Sequence, residues 1–280
     1  MVNQNIILTG IPRSGTTLSC HLLNQLQNVL AMVEPMDIGG LLAQPDREAR
    51  AGYINRFFSS VREDVHNKGV IVGNLVEGDT NTFNQNESGK RQPSLIKPGA
   101  VKVGANFSND FRLIIKHPNA FSALLPELIA TFSCFAIIRN PLSVLSSWNS
   151  LDHPLAKGHA PMAEAFDDEL HQKLNEEVDN LERQLMLLNW YYQQYARYLN
   201  ANNIIRYEDI VSSQGRALYP IAPAALELKE SLVSKNSNSL YDTDFMKSVF
   251  ERLIVSECHG CWQFYSKHEI AAVLDEASAG

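Results

Sequence analysis

The run "LTGIPRSGTTLSC", residues 8–20, carries an apolar segment onto a glycine and proline turn and then into a hydroxyl-rich stretch. A strand, glycine loop and helix in that order turn successive backbone N–H groups and a helix N-terminus toward one point. That is the chemistry of oxyanion binding. Gly10 and Gly15 have the spacing of the phosphate loop G-x-x-x-x-G-K-[ST], but Thr16 stands in the lysine slot. The cation of the loop is Arg13, a planar and permanently charged fork. Ser14, Thr16 and Thr17 add hydroxyl donors. A triphosphate with its metal is poorly served by this loop, which suits a smaller anionic group handled without a metal.

Other chemistry-bearing residues stand where short apolar runs end. Glu34 closes "AMVEPMD", Lys116 and His117 close "IIKHP", and Arg139 and Tyr207 lie in "AIIRNPLSVLSSW" and "IIRYEDIVSS". A cation at the start of a helix opposes the macrodipole, so Arg139 calls for an anion. Pro141 opens that helix, and Ser147 lies roughly 9 Å further along it. An arginine at the sheet edge and a hydroxyl on the helix then reach one phosphate. The run Cys258-His259-Gly260-Cys261 is a lone C-x-x-C without a second ligand pair, and it reads as an incidental pair. His21, His153, His159 and His171 show no ligand spacing, and no metal is expected.

The elements that must position these groups alternate. Strands are expected at "NIILTG", "VLAMVEP", "FRLIIKHP", "SCFAIIRNP" and "NIIRYED". Helices are expected over residues 16–27, 46–66 and 163–200, with one or two more over 241–277. Residues 69–110 are rich in Gly, Asn, Ser and Pro, which predicts a loop region, a lid or rim with a short hairpin. Strands alternating with helices predict an α/β fold, a central parallel sheet flanked by helices in three layers. Ligands bind such sheets at the carboxyl ends of the strands. Arg13, Glu34, Lys116, Arg139 and Tyr207 fall at those ends, one per strand.

The bulk composition bounds the rest. A chain of 280 residues with 45% hydrophobic and 20% charged residues fits one globular domain over 1–280. A formal net charge of −7 argues against a nucleic-acid footprint, so any anion must be held by a few local cations. No signal peptide or membrane span is legible, and four cysteines in this length do not form a disulfide framework. A reducing, cytoplasmic setting is the expectation.

Several segments together resemble the sulfotransferases that use 3′-phosphoadenosine 5′-phosphosulfate (PAPS), in their bacterial, glutamate-base branch. The 5′-phosphosulfate loop of that family, P-[KR]-[ST]-G-[ST]-[ST], stands here as Pro12-Arg13-Ser14-Gly15-Thr16-Thr17. The family's 3′-phosphate pair, an arginine with a serine eight residues later, matches Arg139 and Ser147. "IIRYEDIVSS" resembles the element whose tyrosine joins the nucleotide site, implying Tyr207. "LVSKNSNSLYD" resembles the polar loop that closes over the 3′ end, implying Lys235, Asn236 and Asn238.

The resemblance spans residues 8–241 and implies a P-loop-like fold, PAPS as cofactor, and metal-independent sulfuryl transfer to a hydroxyl or N–H. Glu34 matches in position the catalytic glutamate of that branch. His117 resembles the base of cytosolic members, one residue out of register. Adjacent side chains on an extended segment point to opposite faces, so Lys116 and His117 do not share one site, and Glu34 is favoured as base. Lys116 and Arg13 would stabilise the transferring group. The expected acceptor is a small molecule, with a polar or cationic natural product and a carrier-protein-bound substrate as versions. The rival readings are an ATP-dependent P-loop-like kinase and a sulfotransferase-like binding protein without catalysis.

Overall fold

Five short strands pair into one all-parallel sheet: β1 (Asn5–Gly10), β2 (Val29–Val33), β3 (Arg112–Lys116), β4 (Ser133–Ile138) and β5 (Ile204–Arg206). Their order across the sheet is β2-β3-β1-β4-β5. The computed structural model describes residues 4–73, 83–85, 91–93, 99–103, 107–256 and 259–279. Leu8 of β1 sits between Lys116 of β3 and Phe135 of β4, and Val33 of β2 pairs with Lys116. From β1 the chain turns outward to β2, and from β3 it crosses β1 to reach β4. The carboxyl ends of β1, β3 and β4 therefore flank a switch point, where such sheets take ligands.

The strands are buried on both faces, so they read as continuous apolar runs. Ile6 and Leu8 enter one cluster with Leu22 and Leu23 of helix α1 (Thr16–Leu23). Ile7 enters the opposite cluster, which takes Phe58 of α2 (Arg47–Lys68), Phe121 of α3 (Pro118–Ala123) and Trp148 of α4 (Pro141–Asn149). Tyr192 of α5 (Asn180–Tyr198), Met246 of α6 (Thr243–Val255) and Ile270 of α7 (Lys267–Ala279) complete that side. Among the described residues no helix is long and apolar enough to cross a membrane.

Two expected elements come out differently. Helix α1 ends before residue 27 because the Asn24 side chain clips onto β2, accepting from Ala31 N–H at 2.7 Å and donating to its carbonyl at 2.9 Å. The single helix expected over 163–200 is three helices, Pro161–Glu164, Asp168–Glu176 and α5. Two aspartates inside that run act as N-caps: Asp167 accepts from Leu170 N–H and Asp179 from Glu182 N–H. Within residues 69–110, Val70–Gly73 pairs antiparallel with Gly99–Lys102, and Phe83–Gln85 with Arg91–Pro93. The rest of the expected lid, residues 74–82, 86–90, 94–98 and 104–106, lies outside the described residues.

Gly10 ends β1 at φ 150°, and a Cβ there would meet the Ile137 carbonyl oxygen at 2.4 Å. The Gly10→Ala variant should lose about 1–3 kcal/mol of unfolding free energy. Gly52→Ala, where a Cβ in mid-helix meets a flexible Arg56 side chain at 3.3 Å, should gain about 0.5–1 kcal/mol. Urea melts of both variants check the pair, and equal effects would contradict the packing described.

Candidate functional site

The turn after β1 is braced from below. Ile11 N–H donates to Ile137 O at 3.0 Å and keeps the loop alongside β4. Ser14 spends both donors on this bracing, its N–H on Ile11 O at 3.0 Å and its hydroxyl on Ile137 O at 2.7 Å. Its hydroxyl therefore builds the turn from inside. Trp148 Nε1–H holds the carbonyl of Pro12 at 2.9 Å. Arg13 takes a left-handed φ of 74°, and Gly15 follows at φ 95° with a Cβ position that the Tyr207 ring occupies to 2.7 Å. Helix α1 starts at Thr16 with no side-chain cap, so the first N–H groups of the helix lack intrahelical acceptors. Thr16, in the lysine slot, is buried, with its methyl turned toward Gly10.

Arg139, at the end of β4, is the hub of the neighbouring contacts. It donates to Arg13 O at 3.0 Å, Asn236 Oδ1 at 2.8 Å, Lys235 O at 2.5 Å and Tyr241 OH at 3.5 Å. Its guanidinium lies 4.6 Å over the Tyr207 ring, and the Tyr207 hydroxyl accepts from Lys235 N–H at 3.0 Å. Arg139 and Ser147, expected as a pair on one anion, are joined through Arg13: the Arg13 Nε–H donates to Ser147 Oγ at 3.2 Å. Asn236 is a lock, its amide shared between Arg139 and Glu208 and its carbonyl held by Ser143. Asn238 turns its side chain onto Leu240 N–H, and Lys235 projects an exposed side chain. Glu208, absent from the sequence reading, also accepts from Asn140 N–H and Tyr265 OH, both at 2.9 Å. Its only sequence signal is its place beside Tyr207.

On the other side of β1, Lys116 Nζ meets Glu34 Oε1 at 2.6 Å. The ammonium side chain is 5% exposed and the carboxylate 43%, so a buried cation presents a rim carboxylate. Glu34 N–H donates to Lys116 O at 2.8 Å, and Glu34 takes a left-handed φ of 49°. The adjacent ammonium, opposed by burial, holds the Glu34 carboxyl below its ordinary range. His117 faces elsewhere. It is buried, packs edge-on to Phe121, and its Nε2 accepts from Met36 N–H at 3.1 Å. Burial, partly offset by Glu34, pushes its imidazole down to about 4. A ring with that lone pair already bonded is neutral and has no free acceptor at Nε2.

His153 enters the sequence reading only as a histidine without metal-ligand spacing. It caps the short turn Pro154–Lys157 by accepting from Leu155 N–H at Nδ1, and both Glu34 and Arg13 act on its charge. Cys261 is buried with its thiol pushed up to about 12 by desolvation, while Cys258 lies outside the described residues. No protein-family model matches the chain, and no curated protein matches it.

The buried imidazoles carry a prediction for stability. His117 and His259 are each pushed by burial from 6.5 to about 4, so the unfolded chain binds more protons than the folded one between those values. Stability should fall as pH drops through that window, by about 1.4 kcal/mol per pH unit for each ring. Urea midpoints at pH 7, 6 and 5 should show this slope, reduced in His117→Asn. An unchanged slope in that variant would contradict the buried neutral ring.

Proposed function

We propose that the chain is a PAPS-dependent sulfotransferase with a P-loop-like, three-layer fold, acting on a small-molecule acceptor without a metal. The observation that carries this reading is the arrangement at one sheet edge. An uncapped helix start with Arg13 stands at β1, and an exposed carboxylate backed by a buried ammonium stands at β2 and β3. Sulfuryl transfer needs an anion cradle for the donor and a base for the acceptor, and those two features supply them.

The residues fit the nucleotide in kind. The N-terminus of α1, with Gly10 and Gly15 free of side chains, would hold the 5′-phosphosulfate through the backbone N–H groups of Thr16 and Thr17. Arg13 and Ser147, already hydrogen-bonded, stand next to Arg139 and Lys235 and would share the 3′-phosphate with them. Arg139 would act there chiefly through its charge and by fixing Lys235 and Asn236 in place. Tyr207 would line the base end of the nucleotide. PAPS supplies the sulfuryl group and leaves as the bisphosphate PAP.

Glu34 serves as base. Lys116 occupies Oε1, so Oε2 takes the acceptor proton, and an ionised carboxylate suits a proton that leaves late in the transfer. His117 acts as a positioning residue, because its bond to Met36 N–H fixes the chain just after Glu34. Lys116 neutralises charge that develops on the leaving phosphate.

The test is sulfuryl transfer from labelled PAPS into a metabolite extract, read by mass. Glu34→Gln should lower turnover about 10²–10⁴-fold and leave PAP affinity within a few-fold. Lys116→Ala should lower it about 10²–10³-fold. Undiminished turnover in both variants would overturn the assignment.

A further inference from the structure

Glu208 follows Tyr207 at the start of the short helix Tyr207–Ser212. Its Oε1 accepts two hydrogen bonds, from Asn140 N–H and from Asn236 Nδ2–H, both at 2.9 Å. Both of these donors belong to the fixing of Arg139. Asn140 N–H is the donor of the peptide that follows Arg139, and the carbonyl of that peptide accepts from Tyr192 OH at 2.6 Å. The other end of the Asn236 amide, Oδ1, accepts from Arg139 Nε–H at 2.8 Å. A single carboxylate oxygen therefore holds the main chain of Arg139 and, through one amide, its side chain. Tyr207 works alongside, since its hydroxyl accepts from Lys235 N–H at 3.0 Å. Consecutive residues of the helix start grip consecutive residues of the loop.

The amide has two ends of nearly the same shape, one that accepts and one that donates. Turned over, Asn236 would aim its NH2 group at the Arg139 Nε–H and set two buried donors against each other. Glu208 removes that choice. A carboxylate only accepts, so it draws the NH2 end to itself and leaves Oδ1 for the guanidinium. A carboxylate placed directly on Arg139 would fix it as firmly, but would pair with the charge that an anionic ligand needs. The neutral amide between them passes on position without that pairing.

We infer that Glu208 is a positioning residue, which aims the Arg139 guanidinium and thereby sets how strongly the protein distinguishes a nucleotide with a 3′-phosphate from one without. This inference rests on the proposed function, which puts that phosphate on Arg13, Ser147, Arg139 and Lys235. Held from behind by Asn236, the guanidinium reaches the first loop, where its Nη1 donates to Arg13 O at 3.0 Å. Arg13 in turn donates to Ser147 Oγ at 3.2 Å. Glu208 acts through Asn236 and Asn140 and does not touch the phosphate.

Two measurements separate this inference from the proposed function. In the first, ¹⁵N NMR of the arginine Nε–H groups in the full chain, assigned with Arg139→Lys, follows exchange of the Arg139 proton with water and needs no ligand. Exchange should quicken about 10-fold or more in Glu208→Ala and in Asn236→Ala. It should stay slow in Glu208→Gln, whose amide oxygen still accepts from Asn140 and Asn236 while its NH2 group turns to the Tyr265 hydroxyl. Asn236→Ala leaves Glu208 on Asn140 and Tyr265, so it decides the matter should Glu208→Ala fail to fold. Unchanged exchange in Asn236→Ala overturns the inference whatever the protein's reaction. In the second, magnesium-free calorimetry compares PAP with adenosine 5′-phosphate. The ratio of the two affinities should fall about 10-fold in Glu208→Ala and in Asn236→Ala, and no further in the double variant. Affinity for adenosine 5′-phosphate should hold, and Glu208→Gln should keep the wild-type ratio. An unchanged ratio in Asn236→Ala, additive losses in the double variant, or a Glu208→Gln ratio as low as that of Glu208→Ala overturns the inference. Failure of the wild-type protein to bind PAP overturns the proposed function instead, and the phosphate discrimination with it.

Discussion

The Arg139 guanidinium is buried at the carboxyl end of β4, and three segments distant in sequence converge on it. It holds the Arg13 carbonyl from the first loop, the Lys235 and Asn236 segment and the Tyr241 hydroxyl, and it stacks on the Tyr207 ring. Taking such a charge out of water costs several kcal/mol unless acceptors and a counter-charge surround it. Here the acceptors are mostly backbone and amide oxygens. The Glu208 carboxylate is linked to Arg139 through the shared amide of Asn236. Removing any one partner leaves a buried donor unmade, so the group constrains all of these segments at once. The left-handed backbone of Arg13 is held in this frame, with Trp148 fixing the preceding carbonyl.

The second pole of the site works by the same logic with the exposure reversed. Lys116 is buried and Glu34 is at the rim, so a fixed cation sets the charge state and direction of a reachable carboxylate. Glu34 also has a left-handed φ, stabilised by its N–H bond to Lys116 O. Two strained residues at two strand ends, each pinned by its neighbours, are a cost that folds tolerate where geometry serves a ligand. In a chain of net charge −7, Arg13, Arg139, Lys116 and Lys235 concentrate positive charge near the carboxyl ends of the strands, which favours an anion there.

Much of this was legible before any coordinates. The apolar runs of the five strands and the polar residues closing them follow from burial on both sheet faces, and Glu34 and Lys116 meet as neighbouring strand ends must. What the sequence hid is non-local or conformational. Asp167 and Asp179 look like ordinary helix-surface acids, yet as caps they divide one expected helix into three. Ser14 carries a hydroxyl in a phosphate-loop pattern, but its donor goes to Ile137, 123 residues away in the chain. The Arg139 and Ser147 spacing on a helix is compatible with one shared anion, and only the fold shows Arg13 standing between them. His153 has no periodicity to mark it, because its place comes from the turn after α4. Neither the left-handed φ of Arg13 nor that of Glu34 has a residue-type signature, since glycine or asparagine would be the usual occupant.

In the proposed function, the α1 cradle and the Arg13, Ser147 and Arg139 group are two ends of one nucleotide site. Calorimetry in magnesium-free buffer tests it most directly, comparing PAP with adenosine 5′-phosphate, which differs only in the 3′-phosphate. PAP should bind, and loss of the 3′-phosphate should weaken binding by about 10–100-fold, the worth of a few charge-assisted hydrogen bonds. Equal affinity for the two, or binding confined to ATP with magnesium, would contradict it.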